Sequence, residues 1–410
     1  MDLILYAVPG FFAMIAIELI YDYKKGSAYY RVNDALTSLA TGTINQMVSV
    51  IQKLIPLTLY ILLFDAVVLV EWSQSPWVWV LAFVLYDLCY YWNHRLGHEM
   101  NILWAAHVVH HSSEEYNLTT ALRQTGTGVL SFVFYLPLAI LGFDPLMIVS
   151  VGAVNLIYQF WVHTRHIGKL GWFDYVFVSP SNHRVHHAQN KVYIDRNYGG
   201  VFILWDHLFG SFQKELEREP VIFGIRNALN SWNPLWANTQ FYAQLFKDAW
   251  HTKSWWYKIT IWFRRTGWRP PDVESQYPLL KTDLGHLQKF DTTVSGLLKI
   301  YCMIHYVSTA VITLGFAFGA ESLVLNERIF VVTFILISCF SIGALMEHKH
   351  YAGVLEWLRI SILFLLAALS PITQSLSLGL CLACVISAPI LWKARTRSSN
   401  SLPNAAGTNL

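Results

Sequence analysis

The sequence has few charged residues for its length. Asp, Glu, Lys and Arg make up 13% of its 410 residues, whereas soluble domains contain about 25%. With 54% hydrophobic residues and a mean hydropathy of +0.38, this scarcity excludes intrinsic disorder and argues against an ordinary soluble globule. The net charge of +3 is too small to indicate nucleic-acid binding. We therefore expect much of the chain to lie in a membrane.

Cysteines are also few, and all five lie inside apolar runs, namely Cys89, Cys302, Cys339, Cys381 and Cys384. This placement indicates buried thiols and not a disulfide framework. Cys381 and Cys384 have the CxxC spacing, but neither a second pair nor a neighbouring histidine accompanies them. Packing is therefore the better explanation of this motif.

Hydrophobic runs near the roughly 20-residue length of a membrane-spanning helix recur along the chain. Residues 3–20 lack a basic n-region and a small-residue cleavage site, so we expect a retained first span and not a cleaved signal peptide. Two shorter runs, 129–142 and 146–162, are separated by a Gly/Pro break and predict a helical hairpin that dips into the bilayer. The other candidate spans are 46–70, 76–92, 297–319, 329–346, 354–370 and 372–392.

The positions of basic residues predict the orientation of these spans. Lys24, Lys25 and Arg31 follow the first span, whereas the next turn, 71–76, contains no basic residue. By the positive-inside rule the N-terminus is then outside, and 93–128 and 164–293 are cytoplasmic. The basic segment 348–350 and the C-terminal tail fall on the same, cytoplasmic side.

Histidines form three clusters with helical spacing: His94 and His98; His107, His110 and His111; and His183, His186 and His187. Positions i, i+3 and i+4 lie on one face of a helix, so we expect each cluster to point its imidazoles the same way and to be able to hold one metal ion. Together with His163, they supply more nitrogen ligands than one tetrahedral zinc site uses, which indicates two metal ions close together. Imidazole suits iron, copper, nickel and zinc alike, and the spacing does not choose among them.

A single histidine is more often a hydrogen-bonded polar residue near the membrane interface than a ligand, and this alternative applies to the remaining ones. His166 follows His163 at i+3 and is a weaker candidate ligand. Packing, a turn or solvation is the expected role of the others, His207, His251, His286, His305, His348 and His350.

The predicted fold class is an all-α integral membrane protein, a multi-span helical bundle with a cytoplasmic, histidine-rich cap for two metal ions. We expect N-terminal spans in 1–92, a histidine core in 93–213 that includes the hairpin 129–162, and an amphipathic cytoplasmic region in 214–293. C-terminal transmembrane helices in 294–392 and a polar tail in 393–410 complete the chain.

Several strings carry a family resemblance: His94-Arg-Leu-Gly-His98-Glu99, Asn101-Ile-Leu-Trp-Ala-Ala-His107, the segment SSEEYNLTTALRQ at 112–124, and 158–164, 180–187 and 195–200. They resemble the fatty acid hydroxylase/sterol desaturase superfamily of membrane di-iron oxygenases, and within it the alkylglycerol monooxygenases, which cleave glyceryl ethers. Asn182 departs from the pattern where another histidine is expected, and Arg165-His166 departs where an acidic residue followed by an apolar one is expected.

The resemblance implies two iron ions, O₂ and an external reductant, of which tetrahydrobiopterin is the first to test. The implied substrate is a membrane lipid, with hydroxylation of the ether-adjacent carbon of an alkylglycerol giving a fatty aldehyde and a glycerol derivative. A sterol desaturase or another lipid hydroxylase is the alternative, and a metal transporter is a weaker one. Glu99 either orients an imidazole or binds metal, or it is a solvated interfacial carboxylate.

Overall fold

A computed structural model describes residues 3–279 and 283–369, with side chains described outside 50–53 and 365–369. The predicted span 372–392, Cys381, Cys384 and the tail 393–410 lie outside the described residues. The described chain is helical, as expected, and its β-type pairing is limited to two isolated bridges, Phe177 with Phe202 and Ala188 with Phe223.

The longer helices of the first part are α1 (Leu3–Lys25), α2 (Val32–Val67), α3 (Pro76–Glu99), α4 (Asn101–His111) and α7 (Pro145–Tyr158). Shorter ones between and after them are α5 (Leu118–Ala121), α6 (Leu136–Ile140), α8 (Pro180–His186) and α9 (Leu204–Phe209). The remaining helices are α10 (Pro234–His251), α11 (Trp255–Thr260), α12 (Pro271–Gln276), α13 (Gly296–Gly319), α14 (Leu325–Met346) and α15 (Ala352–Leu369).

Among the described residues, three helices are long and apolar enough to cross a membrane: α1, α13 with its extension to Ser322, and α14. Helix α2 is bent by 47° between its halves Val32–Ser49 and Leu54–Val67, and it provides a fourth crossing if both halves act as one span. Helix α3 begins at the predicted residue, Pro76, but it continues beyond 92 through the first histidine cluster to Glu99.

The predicted hairpin consists of two short legs. A 3₁₀ turn, Val129–Tyr135, runs into α6, and α7 follows after a sharp turn. Gly142 in that turn has a φ of +90°, and a β-carbon there would lie 1.8 Å from the carbonyl oxygen of Val70, so only glycine fits. Asp144 caps α7 by accepting hydrogen bonds from the backbone N–H groups of Leu146 and Met147.

The described chain divides into two compact units, one of its residues up to 230 with those of 235–290, and one of 231–234 with 291–369. In the first unit an apolar core joins α2, α3, α6 and α7, and includes Tyr60, Ala82, Phe143 and Met147. This core fixes α3, which carries the first histidine cluster, against α7, which leads to His163.

In the second unit, α13, α14 and α15 share a buried ionic cluster. Glu356 and Arg359 of α15 form an ion pair, and both residues are fully buried. Tyr301 of α13 and Ser341 of α14 each donate a hydrogen bond to the Glu356 carboxylate. His305 Nδ1 lies 2.7 Å from Arg359 Nη2. The cluster thus connects all three helices through one carboxylate and one guanidinium, and it gives His305 a buried polar role.

Candidate metal centre

The first two histidine clusters meet because α3 and α4 fold back on each other. Met100 between them is extended, with φ −127° and ψ 129°, which ends one helix and begins the next. His94 of α3 and His107 of α4 consequently face each other, with 3.1 Å between their Nε2 atoms.

The third cluster lies on the short helix α8. Ser179 caps this helix, its hydroxyl accepting from the Asn182 N–H, and Pro180 occupies the first turn, where no backbone N–H is needed. On the side of the helix away from the histidines, Arg184 pairs with Glu215 and donates to the Thr164 carbonyl. These contacts hold the helix with its histidines turned inward. His183 Nε2 lies 3.1 Å from His163 Nε2.

All nine histidines singled out in the sequence come together in two groups. Within each group the candidate ligand atoms lie within 4.8 Å of one another. The first group contains His94, His98, His107, His111 and His186, and the second contains His110, His163, His183 and His187. The groups adjoin, because the rings of His111 and His187 stack with centroids 4.3 Å apart.

The structure corrects the expectation that each cluster serves one metal ion. Both HxxHH clusters are divided: His107 and His111 belong to the first group while His110 belongs to the second, and His183 and His187 belong to the second while His186 belongs to the first. The reason is helical geometry. At 100° per residue, positions i and i+4 differ by about 40°, whereas i+3 and i+4 differ by about 100°. Each HxxHH motif therefore contributes to both groups.

Backbone carbonyl groups fix the orientation of four of the rings. The Nδ1 atoms of His94 and His163 lie 2.8 Å from the carbonyl oxygens of Tyr198 and Gln159. Those of His110 and His186 lie 3.0 Å from the carbonyl oxygens of Arg123 and Arg196. A carbonyl can only accept, so the ring proton of a neutral imidazole resides on Nδ1 and the lone pair on Nε2.

The Nε2 atoms then face one another without a proton between them. His110 and His163 are 3.2 Å apart at Nε2, and both have Nδ1 committed to a carbonyl. The Nε2 atoms of His98 and His186 are buried and have no hydrogen-bond partner in the part of the chain that the structure describes. Facing lone pairs repel unless a cation lies among them, and neutral imidazole is a common ligand of transition metals. The donor set therefore fits two metal ions.

Burial keeps these imidazoles neutral. It lowers the pKa of His110 to about 4 and the pKa values of His107, His183 and His187 well below the ordinary value of histidine. Neighbouring imidazoles act in the same direction, since a positive charge on one ring disfavours protonation of the next. The groups thus present uncharged nitrogen donors near neutral pH.

Glu99 and His166 lie outside both groups. The Glu99 carboxylate is 3.1 Å from Arg95 Nε and accepts a 3.4 Å hydrogen bond from the Tyr198 hydroxyl, and its side chain is 27% exposed. His166 Nε2 lies 3.3 Å from Asp22 Oδ1, and its ring contacts Tyr21 and Tyr29. The residues that depart from the family pattern also have partners nearby. Asn182 donates to the Asp174 carbonyl, and the Arg165 guanidinium lies 3.9 Å from the Tyr29 ring centroid.

Two supporting residues were not predicted from the sequence. Asp87 of α3 is fully buried and accepts hydrogen bonds from Asn155 Nδ2, the N–H groups of Val201 and Phe202, and Trp205 Nε1. It thereby joins α3 and α7 to the segment that follows Tyr198, whose carbonyl orients His94. Arg123 donates to the Val109 carbonyl and Ser112 Oγ, and its own carbonyl orients His110. An acidic residue inside an apolar helix was the available signal for Asp87.

Helices able to cross a membrane, together with two adjoining groups of buried imidazoles, are the features of an integral-membrane protein with a candidate site for two metal ions. The family model "Fatty acid hydroxylase" matches residues 79–211. Alkylglycerol monooxygenase of Homo sapiens is 36% identical over 394 residues, covering 92% of this chain and 85% of that protein. Alkylglycerol monooxygenase of Xenopus tropicalis is 34% identical over 358 residues, covering 86% and 79%.

The chain belongs to the fatty acid hydroxylase family, in the branch of these alkylglycerol monooxygenases. It is therefore a lipid hydroxylase, which is an enzyme and not a metal transporter. Ornithine lipid hydroxylase OlsE of Rhizobium tropici is 31% identical over 150 residues, covering 35% of this chain and 43% of that protein. No solved structure matches the chain.

Proposed function

We propose that this protein hydroxylates the ether-adjacent carbon of alkylglycerols and so releases a fatty aldehyde. The observation that carries the proposal is the arrangement of the nine histidines in two buried groups, in a chain similar over 92% of its length to an alkylglycerol monooxygenase. The electron donor is external to the chain, and tetrahydrobiopterin is the first candidate.

The two groups would hold two iron ions, one in each, through imidazole nitrogens. Bound iron supplies the activation of O₂ that attack on an unactivated C–H bond requires. The chain contributes position and orientation. The carbonyls of Gln159, Arg123, Arg196 and Tyr198 hold the imidazoles in the tautomer that can ligate. We assign Glu99 a positioning role, because it accepts from the Tyr198 hydroxyl.

The atoms and electrons of the proposed reaction balance when one external two-electron reductant takes part. One atom of O₂ enters the C–H bond beside the ether oxygen, the other leaves as water, and the reductant supplies two electrons and two protons. The resulting hemiacetal then collapses: its C–O bond to glycerol breaks, the hydroxyl proton passes to the glycerol oxygen, and an aldehyde remains. No further oxidant is needed for this second step.

We further propose that the histidine groups face the cytoplasm. Lys24 and Lys25 end α1, and both are exposed, so the C-terminal end of that span is expected on the cytoplasmic side. The subdivision into N-terminal spans, a histidine core at 93–213, an amphipathic region at 214–293 and C-terminal helices belongs to the same proposal. A reporter fused after residue 410 that is active only outside the membrane would contradict this topology.

A second candidate is hydroxylation of another membrane lipid, which the partial similarity to an ornithine lipid hydroxylase favours. The two candidates are separated by offering the purified, iron-loaded and reduced enzyme hexadecylglycerol, a sterol and an acyl lipid under ¹⁸O₂. We expect O₂-dependent hexadecanal from hexadecylglycerol. Oxidation of the acyl lipid or sterol with hexadecylglycerol untouched would overturn the ether-lipid assignment and leave the family assignment standing.

A further inference from the structure

A cavity of about 730 Å³ adjoins the histidine groups. Four of the nine histidines line it, namely His98, His111, His186 and His187. Its wall also includes residues of α4, of 188–195, of 224–230, of α10 and of 265–269. A molecule in this cavity would therefore touch both the metal-binding region and the amphipathic region.

Three residues of the cavity wall each have a polar atom that is buried and has no hydrogen-bond partner among the described residues: Gln189 Oε1, Gln240 Nε2 and Thr266 Oγ1. The orientation of Gln189 is fixed, since its Nε2 donates to the Phe223 carbonyl at 2.9 Å and the residue is 4% exposed. Burying a polar atom unpaired costs about 1–3 kcal/mol, so unpaired atoms gathered in one wall indicate a ligand that pairs with them. An alkyl chain in the same place would leave them unpaired.

The most deeply buried charges of the wall neutralise each other. Arg269 forms a two-point ion pair with Asp248, at 2.7 and 2.8 Å, and donates its Nη1 to the Tyr277 carbonyl. Of the other charged residues in the wall, Lys247 and Glu274 are exposed, and the half-buried Asp195 forms an ion pair with Arg265. The wall therefore suits an uncharged group that carries hydroxyls, which can both donate to Gln189 Oε1 and accept from Gln240 Nε2.

We propose that this cavity receives the glycerol headgroup of the substrate, with Gln189, Gln240 and Thr266 bonding its two free hydroxyls. The inference rests on the proposed function, because it takes the substrate to be an alkylglycerol. In that lipid only the ether oxygen separates the glycerol from the carbon to be hydroxylated. A headgroup bound here keeps that carbon beside the histidines that line the same cavity, and the three residues determine headgroup specificity.

The test compares hexadecylglycerol with its analogue that lacks the terminal hydroxyl. In Gln240→Leu and Thr266→Val we expect the KM for hexadecylglycerol to rise about tenfold, the effect of one hydrogen bond to a buried group. The preference of the unaltered enzyme for the diol over the analogue should fall by the same factor. Iron content should stay at the unaltered level, and Gln276→Leu, on the exposed surface of α12, is the matched control.

Each other outcome decides the matter. If the unaltered enzyme cleaves hexadecylglycerol and both variants keep its preference for the diol, the headgroup assignment is wrong while the proposed function stands. If the variants instead raise the KM for tetrahydrobiopterin and leave the KM for the lipid unchanged, the cavity binds the reductant and the headgroup assignment is again wrong. If the unaltered enzyme cleaves no alkylglycerol, both proposals fail together. Thr266→Val keeps the side-chain shape, which guards against a folding defect in the glutamine variant.

Discussion

Two of the buried clusters of titratable groups in the described part of the chain differ in how their donors and acceptors match. In the histidine groups, Nε2 lone pairs face Nε2 lone pairs, and the Nε2 atoms of His98 and His186 have no hydrogen-bond partner among the described residues. In the cluster of α13 to α15, the Glu356 carboxylate forms an ion pair with Arg359, and the hydroxyls of Tyr301 and Ser341 donate hydrogen bonds to the same carboxylate. Burial is common to both, so burial alone does not identify a ligand site. The histidine groups are identified as one because their acceptor nitrogens face one another with no donor between them.

The difference assigns a different role to each cluster. Imidazoles that face one another are held in place by backbone carbonyls and are stabilised only when a cation lies among them. The Glu356–Arg359 pair already contains both signs of charge and joins three helices, which is a structural role. Four substitutions test this contrast.

Loss of one imidazole should have the largest effect on activity. In His187→Ala we expect lipid oxidation to fall by more than about 100-fold, because even a residue that merely orients a ligand is worth 10–100-fold. Iron content should drop from two towards one per chain. His286→Ala is the matched control, since that side chain is 90% exposed and pairs with Asp283, away from both histidine groups. Full activity and two irons in His187→Ala would remove it from the ligand set.

Breaking the ion pair of the second unit should reduce stability and leave the metal content of the folded enzyme unchanged. Glu356→Ala leaves Arg359 buried without its counter-charge, and we expect a loss of about 3–5 kcal/mol, measured as a lower Tm in detergent. The double variant Glu356→Leu, Arg359→Met should recover most of that loss. If the single variant instead kept its Tm and lost iron, the structural role would be refuted.

Asp87→Asn should have an intermediate effect. In the unaltered protein four donors share the two carboxylate oxygens of Asp87, whereas an amide offers only one acceptor oxygen. We therefore expect a loss of about 1–3 kcal/mol in the free energy of unfolding. Activity should decline less than in His187→Ala, because Asp87 acts on His94 through the Tyr198 segment. Asp65, on α2, provides a control Asp→Asn change. Complete loss of iron in folded Asp87→Asn protein would mean a more direct role.

Glu99→Gln should have the smallest effect. Its carboxylate is partly exposed and paired with Arg95, and such pairs contribute about 0–1 kcal/mol. We expect kcat/KM to fall by no more than about fivefold, with two irons retained. A fall comparable with that of His187→Ala, accompanied by loss of metal, would show that Glu99 is itself a ligand and not a positioning residue.

Eight of the nine histidines, all except His163, could be chosen from the sequence by their spacing, because spacing is a local property. A helix repeats every 3.6 residues, so His107 and His111, or His183 and His187, share a direction wherever the helix lies. The hydropathy of the chain, which is equally local, predicted where α1 and α3 begin, although α1 continues beyond the predicted residue 20 to Lys25. Grouping by cluster was wrong, because it neglected the angle between i+3 and i+4.

Tertiary structure decided everything that depends on residues distant in sequence. The pairing of His94 with His107, the approach of His163 to His110, and the carbonyls that orient four rings all require helices to be placed side by side. Asp87 acquires its role only because the backbone at Gly200 comes so close that a β-carbon there would lie 2.7 Å from its carboxylate. The cavity, its unpaired amides and the Glu356–Arg359 pair arise in the same way.

The sequence alone determined which side chains could bind metal, because that is a matter of chemistry and helical repeat. Only packing decided which of them meet, because long-range contacts carry no period along the chain.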